Sequence, residues 1–577
     1  MNIMRATHEP KNDVEGFVPS DFSVKDWNSI AYFYDDLVKR QITSLEELEQ
    51  WIYDRNELEA FIGEDFSWKY IHITSDSANK KALESYQYAL KELLPHVSSF
   101  EHILNEKLVT NPFFSQLPAD QFSIYTRNVR NAVQIFNKKN IPLTTEVQLK
   151  AKEHGRIFSE MTIGLKGMQM TLQKAGTLLE ENDRGNRENI YHKINERILQ
   201  DTESLETLFD GLLNKRHKIA LNANFDNFRD YRFKALGRFD YSASDCFDFH
   251  EAIQYEILPI LDELNRYRKQ RLGIDKLKPW DLHVDVDSKA PLRPFQTIDE
   301  LIEKSITCVS KLDESFGDYL RKLKKMNHLD LDSRKGKRPG GYNMPLPKTG
   351  APFIFMNATN SLNDMRTFLH ESGHAFHSFL TKKYKLNSSK RVPSEVAELA
   401  AMTMELLTMD HWDVFFENPD DLRRAKINQL ETALKVLPWV ATIDKFQHWL
   451  YVNPTHAPED RKKAWMSILK EFSSSEIDQE GLERYSEYIW HKQLHIFEVP
   501  FYYIEYGMAQ LGAIAIWKQY RENPKETIEN YINALKLGYT KPIREIYETA
   551  GISFDFSREY VAELGDFLKK ELKSLLF

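Results

Sequence analysis

The 577-residue chain has only two cysteines, Cys246 and Cys308. That excludes a disulfide framework; their spacing fits neither a CxxC redox pair nor a zinc ribbon, and a reducing cytoplasm is the expected compartment. Glycine and proline are scarce, 22 of each, so breaks between segments are few. Positive charge is not in excess either: 77 Lys and Arg against 86 Asp and Glu leave −9. No global basic field exists to hold a polyanion or an acidic membrane surface, so neither nucleic acid nor membrane is an expected partner. One short basic run, Asn214 to Lys218 (NKRHK), reads as a solvated helix face. Long apolar runs are also missing. The richest stretch, Val499 to Trp517, is broken by Glu505, Gln510 and three glycine or proline positions, which disfavours a membrane span. The opening MNIMRATHEPKNDVEGFV has no apolar h-region and does not read as a secretory signal. No fixed-period repeat suggests a solenoid.

Hydrophobic residues at 42% and charged residues at 28% place the chain in the folded, globular range. Apolar residues recur at three- and four-residue spacing in segments such as LESYQYALKELLPHV and EYVAELGDFLKKELKSLLF, so the fold class expected is mainly α. Candidate breaks are Glu180 to Asn189, Lys276 to Pro294 and Gly336 to Pro352. The first reads as a region boundary, separating residues 1–185 from 186–577. One β signal stands against this background: Phe353, Ile354, Phe355, Met356 and Asn357, bounded by Gly350 and an Asn/Thr/Ser-rich stretch. A strand entering a cleft can add an extended peptide as a further strand, so these five residues are expected to align a substrate backbone.

Directly downstream, HESGHAFH spans His370 to His377 and contains HExxH. About 0.05 chance matches are expected in a chain of this composition. On a helix capped by Asn363 or Asp364, His370 and His374 lie one above the other and can direct ring nitrogens to one point about 2.0–2.1 Å away. Glu371, one step round, stands beside a metal and not on it. There a carboxylate can take a proton from a metal-bound water and deliver it to a leaving amine.

Zinc needs a third ligand. The metzincin pattern requires Gly and His where this chain has His377 and Leu380, so that arrangement is excluded. A glutamate from a second helix remains, and Pro393 to Thr408 (PSEVAELAAMTMELLT) has the composition of one, with Pro393 suited to its first turn. Glu395, Glu398 and Glu405 are the candidates, and spacing does not choose among them. Glu398 and Glu405 share a face two turns apart, so one could ligate while the other orients a ligand.

HESGHAFH, SEVAELAAMTMELL and HIFEVPFYYIEYGMAQLGA, together with GKRPGGY and PFIFMNATNSLNDMRTFLHESGH, resemble the oligoendopeptidase F branch of the thimet oligopeptidase family of zinc metallopeptidases. The resemblance extends more weakly through FDNFRDYRFKALGRFDY and covers roughly residue 200 to the C-terminus. It implies one zinc ion per chain, with His370, His374 and Glu398 as ligands and Glu371 as general base. Glu405 would support a ligand from behind, and His377 would be structural or supporting. His495, Tyr502, Tyr503 and Tyr506 would hydrogen-bond substrate and oxyanion, with His491 the alternative to His495. The fold implied is a two-lobed, neurolysin-like helical body with a deep substrate cleft and a small β-sheet at its rim, residues 1–185 being an N-terminal helical region and 186–577 the catalytic region. The activity implied is hydrolysis of internal bonds in short oligopeptides. A helical zinc carboxypeptidase or dipeptidase, and a catalytically silent peptide-binding protein, are the alternative readings.

Overall fold

The computed structural model describes residues 16–165, 167–338 and 340–576. The opening stretch read for a signal lies outside these up to residue 15, as do Pro339 of GKRPGGY and the final Phe577. About 70% of the chain is helical, with only small sheets, so the fold is mainly α, as the periodicity indicates. No helix among the described residues is long and apolar enough to cross a membrane.

In chain order, the elements that carry the site and its supports are α1 (Leu45–Ser75), β1 (Thr162–Leu165), β2 (Met168–Thr171), α2 (Thr202–Asn222), α3 (Phe228–Ala235) and α4 (Ala243–Ala252). Then come β3 (Leu329–Asp332), β4 (Tyr342–Met344), β5 (Phe353–Ala358), α5 (Leu362–Thr381), α6 (Ser394–Leu407), α7 (Pro419–Val452) and α8 (Ile504–Glu522). They fall into two compact units. One gathers Met1–Phe136, Arg293–Leu422 and Gln519–Ser553; the other gathers Asn137–Leu292, Arg423–Lys518 and Phe554–Phe577.

In the first unit, Leu48, Trp51, Ile52 and Leu58 of α1 pack with Phe33, Tyr34 and Leu37 in an extended apolar core. The three-stranded sheet has the order β3–β5–β4. β5 pairs in parallel with β3 (Leu329 opposite Ile354) and antiparallel with β4 (Tyr342 opposite Phe355, Met344 opposite Phe353). The expected strand is therefore real, but Ile354 and Phe355 are paired on both edges and Phe353 on the β4 side. A further strand needs a free row of N–H and C=O groups. With β5 in the middle of the sheet, a peptide added as a further strand would pair with β3 or β4, and a role for Phe353 to Asn357 in aligning substrate is a proposal. Asn357 is spent on the loop before β4, its Nδ2 donating to the carbonyls of Arg338 (2.5 Å) and Gly340 (3.0 Å).

The chain turns from β5 into α5 through Ser361, the true N-cap, whose Oγ accepts from Asp364 N at 3.2 Å. Asp364 Oδ2 returns the contact by accepting from Ser361 N at 2.9 Å and Thr359 N at 2.7 Å. The cap thus sits two or three positions earlier than Asn363 or Asp364, and Asp364 serves as the reciprocal partner of a capping box. α5 and α6 then pack closely at Gly373: a Cβ there would meet Ala400 O at 2.6 Å and Ala401 Cα at 2.7 Å. Only a residue without a side chain allows the backbone of α6 this near.

In the second unit, β1 and β2 form an antiparallel hairpin, and Leu205, at the start of α2, packs against Met161, Ile163 and Ile190. The run Asn214 to Lys218 lies on α2, but Arg216 is not on a solvated face: it is 1% exposed and donates to Tyr451 OH at 2.9 Å and to the carbonyl of Ile496 at 3.2 Å.

Candidate active site

α5 carries His370, Glu371 and His374; α6 carries Glu398 and Glu405. A metal-binding atom from each of His370, His374 and Glu398 lies within 4.8 Å of the others. His370 Nε2 is 3.3 Å from Glu398 Oε2, and His374 Nε2 is 3.9 Å from the same oxygen. Two donors each about 2.0–2.1 Å from a tetrahedral ion lie about 3.3 Å apart, so the three atoms bracket a space of the size zinc requires. The imidazole planes stand at 89° to each other with centroids 5.0 Å apart, converging on one point without stacking. Of the three candidate glutamates, Glu398 alone joins the imidazoles in this group; Glu395 is buried elsewhere on α6. Glu405 lies behind, its Oε1 2.8 Å from His370 Nδ1. That contact sets the ring orientation and leaves Nε2 to face the common point.

The electrostatics favour a cation. Burial by itself pushes the His370 imidazolium down, but hydrogen bonds to Glu398 and Glu405 and their charges outweigh it and hold its pKa well above the ordinary value. A divalent ion would displace that proton. Burial pushes His374 down to about 4, against the pull of Glu398, so its ring is neutral and its lone pair available. Burial also raises Glu371 to about 7. Its Oε2 is buried with no hydrogen-bond partner among the described residues, while its carbonyl accepts from Asn343 Nδ2 of β4 at 3.2 Å. A carboxyl poised near neutrality and not tied up by donors can both take and return a proton. His377, one turn beyond His374, is 4% exposed and is driven down to about 3, chiefly by burial; it is a neutral core residue outside the ligand group.

His495, Tyr502, Tyr503 and Tyr506 belong to the second unit and gather there. The His495 ring centroid is 5.9 Å from Tyr502, 4.9 Å from Tyr503 and 5.8 Å from Tyr506. Gln493 orients the imidazole: its Nε2 donates to His495 Nδ1 at 2.7 Å, and its Oε1 accepts from Trp439 Nε1 at 2.9 Å. Burial raises the Tyr503 phenol to about 12, so it stays a donor. His491 is fully buried, with Nε2 2.9 Å from Glu206 Oε1, and is structural.

The turn before these tyrosines is held from several sides, which sequence reasoning did not reveal. Phe501 has φ 65°, a left-handed conformation that persists only when its surroundings fix it. Gln447 Oε1 accepts from Phe501 N at 2.7 Å; Arg238 donates to the carbonyl of Phe501 and, at 2.8 Å, to Glu505 Oε1; Arg232 Nε donates to Pro500 O at 3.2 Å. The only available signal was the arginine spacing in FDNFRDYRFKALGRFDY.

The description "Peptidase family M3" matches residues 177–566, and "Peptidase M3 N-terminal domain" matches 17–136. The chain belongs to Peptidase family M3. This is a family of zinc metallopeptidases. The chain is 23% identical over 384 residues to Oligopeptidase PepF of Bacillus subtilis, covering 65% of this chain and 55% of that relative. With 48% coverage of an oligoendopeptidase F homolog from Borreliella burgdorferi, it spans about half the length of these curated relatives. Among solved structures, PZ peptidase A with inhibitor 2 is similar with a TM-score of 0.89 and 26% identity over 96% of this chain and 99% of that one. Oligoendopeptidase-F from Enterococcus faecium shares the fold at a TM-score of 0.65 and 16% identity, over 95% and 98% of the two chains.

Proposed function

We propose that this M3 peptidase is a zinc-dependent oligoendopeptidase that hydrolyses internal bonds of short, unstructured peptides. The observation that carries the reading is the convergence of His370, His374 and Glu398 within 4.8 Å, with Glu371 beside them and raised to about 7. The donor set, two imidazoles and a carboxylate, is that of a catalytic zinc site with a position left open. Bound there, zinc would supply Lewis acidity, making water nucleophilic near neutral pH and polarising the scissile carbonyl. Glu371 takes the proton of the attacking water as its oxygen adds to the carbonyl carbon. It then delivers that proton to the departing amine nitrogen as the C–N bond breaks, and so ends as it began. Glu405 holds His370 in register throughout.

On the family resemblance, His495, Tyr502, Tyr503 and Tyr506 are proposed to hydrogen-bond substrate and oxyanion, Gln493 fixing which imidazole nitrogen donates. The break at Glu180 to Asn189 supports residues 1–185 as an N-terminal helical region and 186–577 as the catalytic region, a boundary that lies just inside the match at 177–566. A cytoplasmic setting is proposed because both cysteines are buried thiols outside any disulfide.

The test uses an end-blocked, internally quenched peptide of about ten residues, which spans about 35 Å when extended, beside a long unfolded polypeptide. Chelator-sensitive internal cleavage of the short peptide is expected. Release of single residues or dipeptides from an unblocked end alone would instead identify a carboxypeptidase or dipeptidase, and no cleavage of any peptide by zinc-replete protein would identify a binding protein.

A further inference from the structure

A second cluster of metal-ligating side chains lies in the other compact unit, where the catalytic reading makes no use of it. Cys246 and His250 are four residues apart on α4, and Asp444 and His448 are four residues apart on α7. This is the spacing that sets His370 over His374, and it puts each pair on one helix face. Ligand atoms of Cys246, Asp444 and His448 all lie within 4.8 Å of one another. His250 Nε2 is 3.0 Å from Asp444 Oδ2, and His448 Nε2 is 3.1 Å from the same oxygen. The four residues are 0, 2, 0 and 3% exposed in chain order.

The polar accounting of this cluster leaves several buried atoms without a partner among the described residues. Both imidazoles approach Oδ2 of Asp444 through Nε2, and His448 Nε2, which faces the cluster, is buried with no hydrogen-bond partner among the described residues, as are Asp444 Oδ1 and both Nδ1 atoms. The surroundings are aromatic: the His448 ring is 4.9 Å from Phe247, 5.8 Å from Phe233 and 5.3 Å from Phe501, and His250 is 6.2 Å from Phe472. A carboxylate removed from water with one oxygen undonated is costly, and buried polar atoms without partners are rare in folded proteins.

We propose that Cys246, His250, Asp444 and His448 form a second, structural metal site for a zinc-class divalent ion, distinct from the HExxH centre. One thiolate, two imidazoles and one carboxylate make a borderline-soft donor set that zinc prefers and calcium or magnesium do not. Four protein donors fill a tetrahedral shell, which marks a structural site. Binding deprotonates the Cys246 thiol, the proton passing to solvent, and the ion bridges α4 to α7. α7 also carries Gln447, whose Oε1 holds the strained Phe501 turn at 2.7 Å. The ion would thereby brace the turn that leads into Tyr502, Tyr503 and Tyr506.

The test is cobalt substitution of the full-length chain, read by absorption spectroscopy and by metal content. The HExxH centre offers only nitrogen and oxygen donors, so a thiolate-to-cobalt charge-transfer band can arise only at a cysteine. The expected result is two metal ions per wild-type chain and a charge-transfer band. The band should survive in His374→Ala and Cys308→Ser and disappear in Cys246→Ser with the loss of one ion. Wild-type protein that takes up cobalt without the band overturns the proposal, and this arm needs no substitution to fold. An unchanged metal count in folded Cys246→Ser also overturns it.

Discussion

Glu405 Oε1 lies 2.8 Å from His370 Nδ1 while Glu398 Oε2 lies 3.3 Å from the Nε2 of the same ring. On the proposed ligand set, one carboxylate orients the imidazole that the other would join as co-ligand, which gives the two glutamates seven residues apart on α6 different tasks. Removing the orienting group should weaken the metal without abolishing it. Glu405→Ala is expected to lower zinc affinity by about 10–100-fold, measured by competition with a chromogenic chelator, with activity largely recovered at saturating zinc.

In the proposed mechanism Glu371 carries a proton and is not a ligand. Glu371→Gln keeps the shape and removes the basicity, so kcat should fall by about 10²–10⁴-fold while zinc content is unchanged. Active, zinc-replete Glu371→Gln protein would contradict the role.

The close approach at Gly373 makes a stability prediction that also reaches the site. In Gly373→Ala the new methyl would meet Ala400 O at 2.6 Å and Ala401 Cα at 2.7 Å, both backbone atoms that cannot swing aside. The helices must part, at a cost of about 1–3 kcal/mol, and Glu398, three residues before Ala401, moves with α6. A lowered denaturation midpoint accompanied by weaker zinc retention is expected; a wild-type midpoint would show that α6 yields at no cost.

Acid stability should depend on Glu431. Burial works to raise its carboxyl, but the charges of Lys435 and Arg268 overcome this and hold it at about 2, below the ordinary 4.5; Arg268 Nη2 donates to Oε2 at 3.1 Å. Between these values the unfolded chain binds the proton and the folded chain does not. The stabilisation is therefore complete above pH 4.5 and lost as pH falls toward 2, and it amounts to at most about 3 kcal/mol. Urea titrations from pH 7 to pH 3 should show the advantage of wild type over Glu431→Gln shrinking in that window and flat above it.

Local spacing made the heart of the site legible. His370, Glu371 and His374 are fixed by helical period alone, and the helical class follows from apolar residues at three- and four-residue intervals. What local pattern did not reveal depends on partners distant in sequence. Phe353 to Asn357 read correctly as a strand, yet its middle position in the sheet is set by Leu329–Asp332 and Tyr342–Met344, whose pairing no local pattern announces. Arg216 looks solvated within NKRHK and is buried because the carbonyls near residue 496 need donors. Glu395, Glu398 and Glu405 all suit one helix, and only the packing of α6 on α5 distinguishes them. The Cys246, His250, Asp444 and His448 cluster joins two helices almost two hundred residues apart.

The most direct test of the central claim is the zinc content of Glu398→Ala beside Glu395→Ala, each purified at neutral pH and dialysed against metal-free buffer. The account predicts that Glu398→Ala holds one zinc fewer than wild type and that Glu395→Ala holds the same number. Normal zinc in Glu398→Ala together with loss in Glu395→Ala would contradict the ligand set of His370, His374 and Glu398.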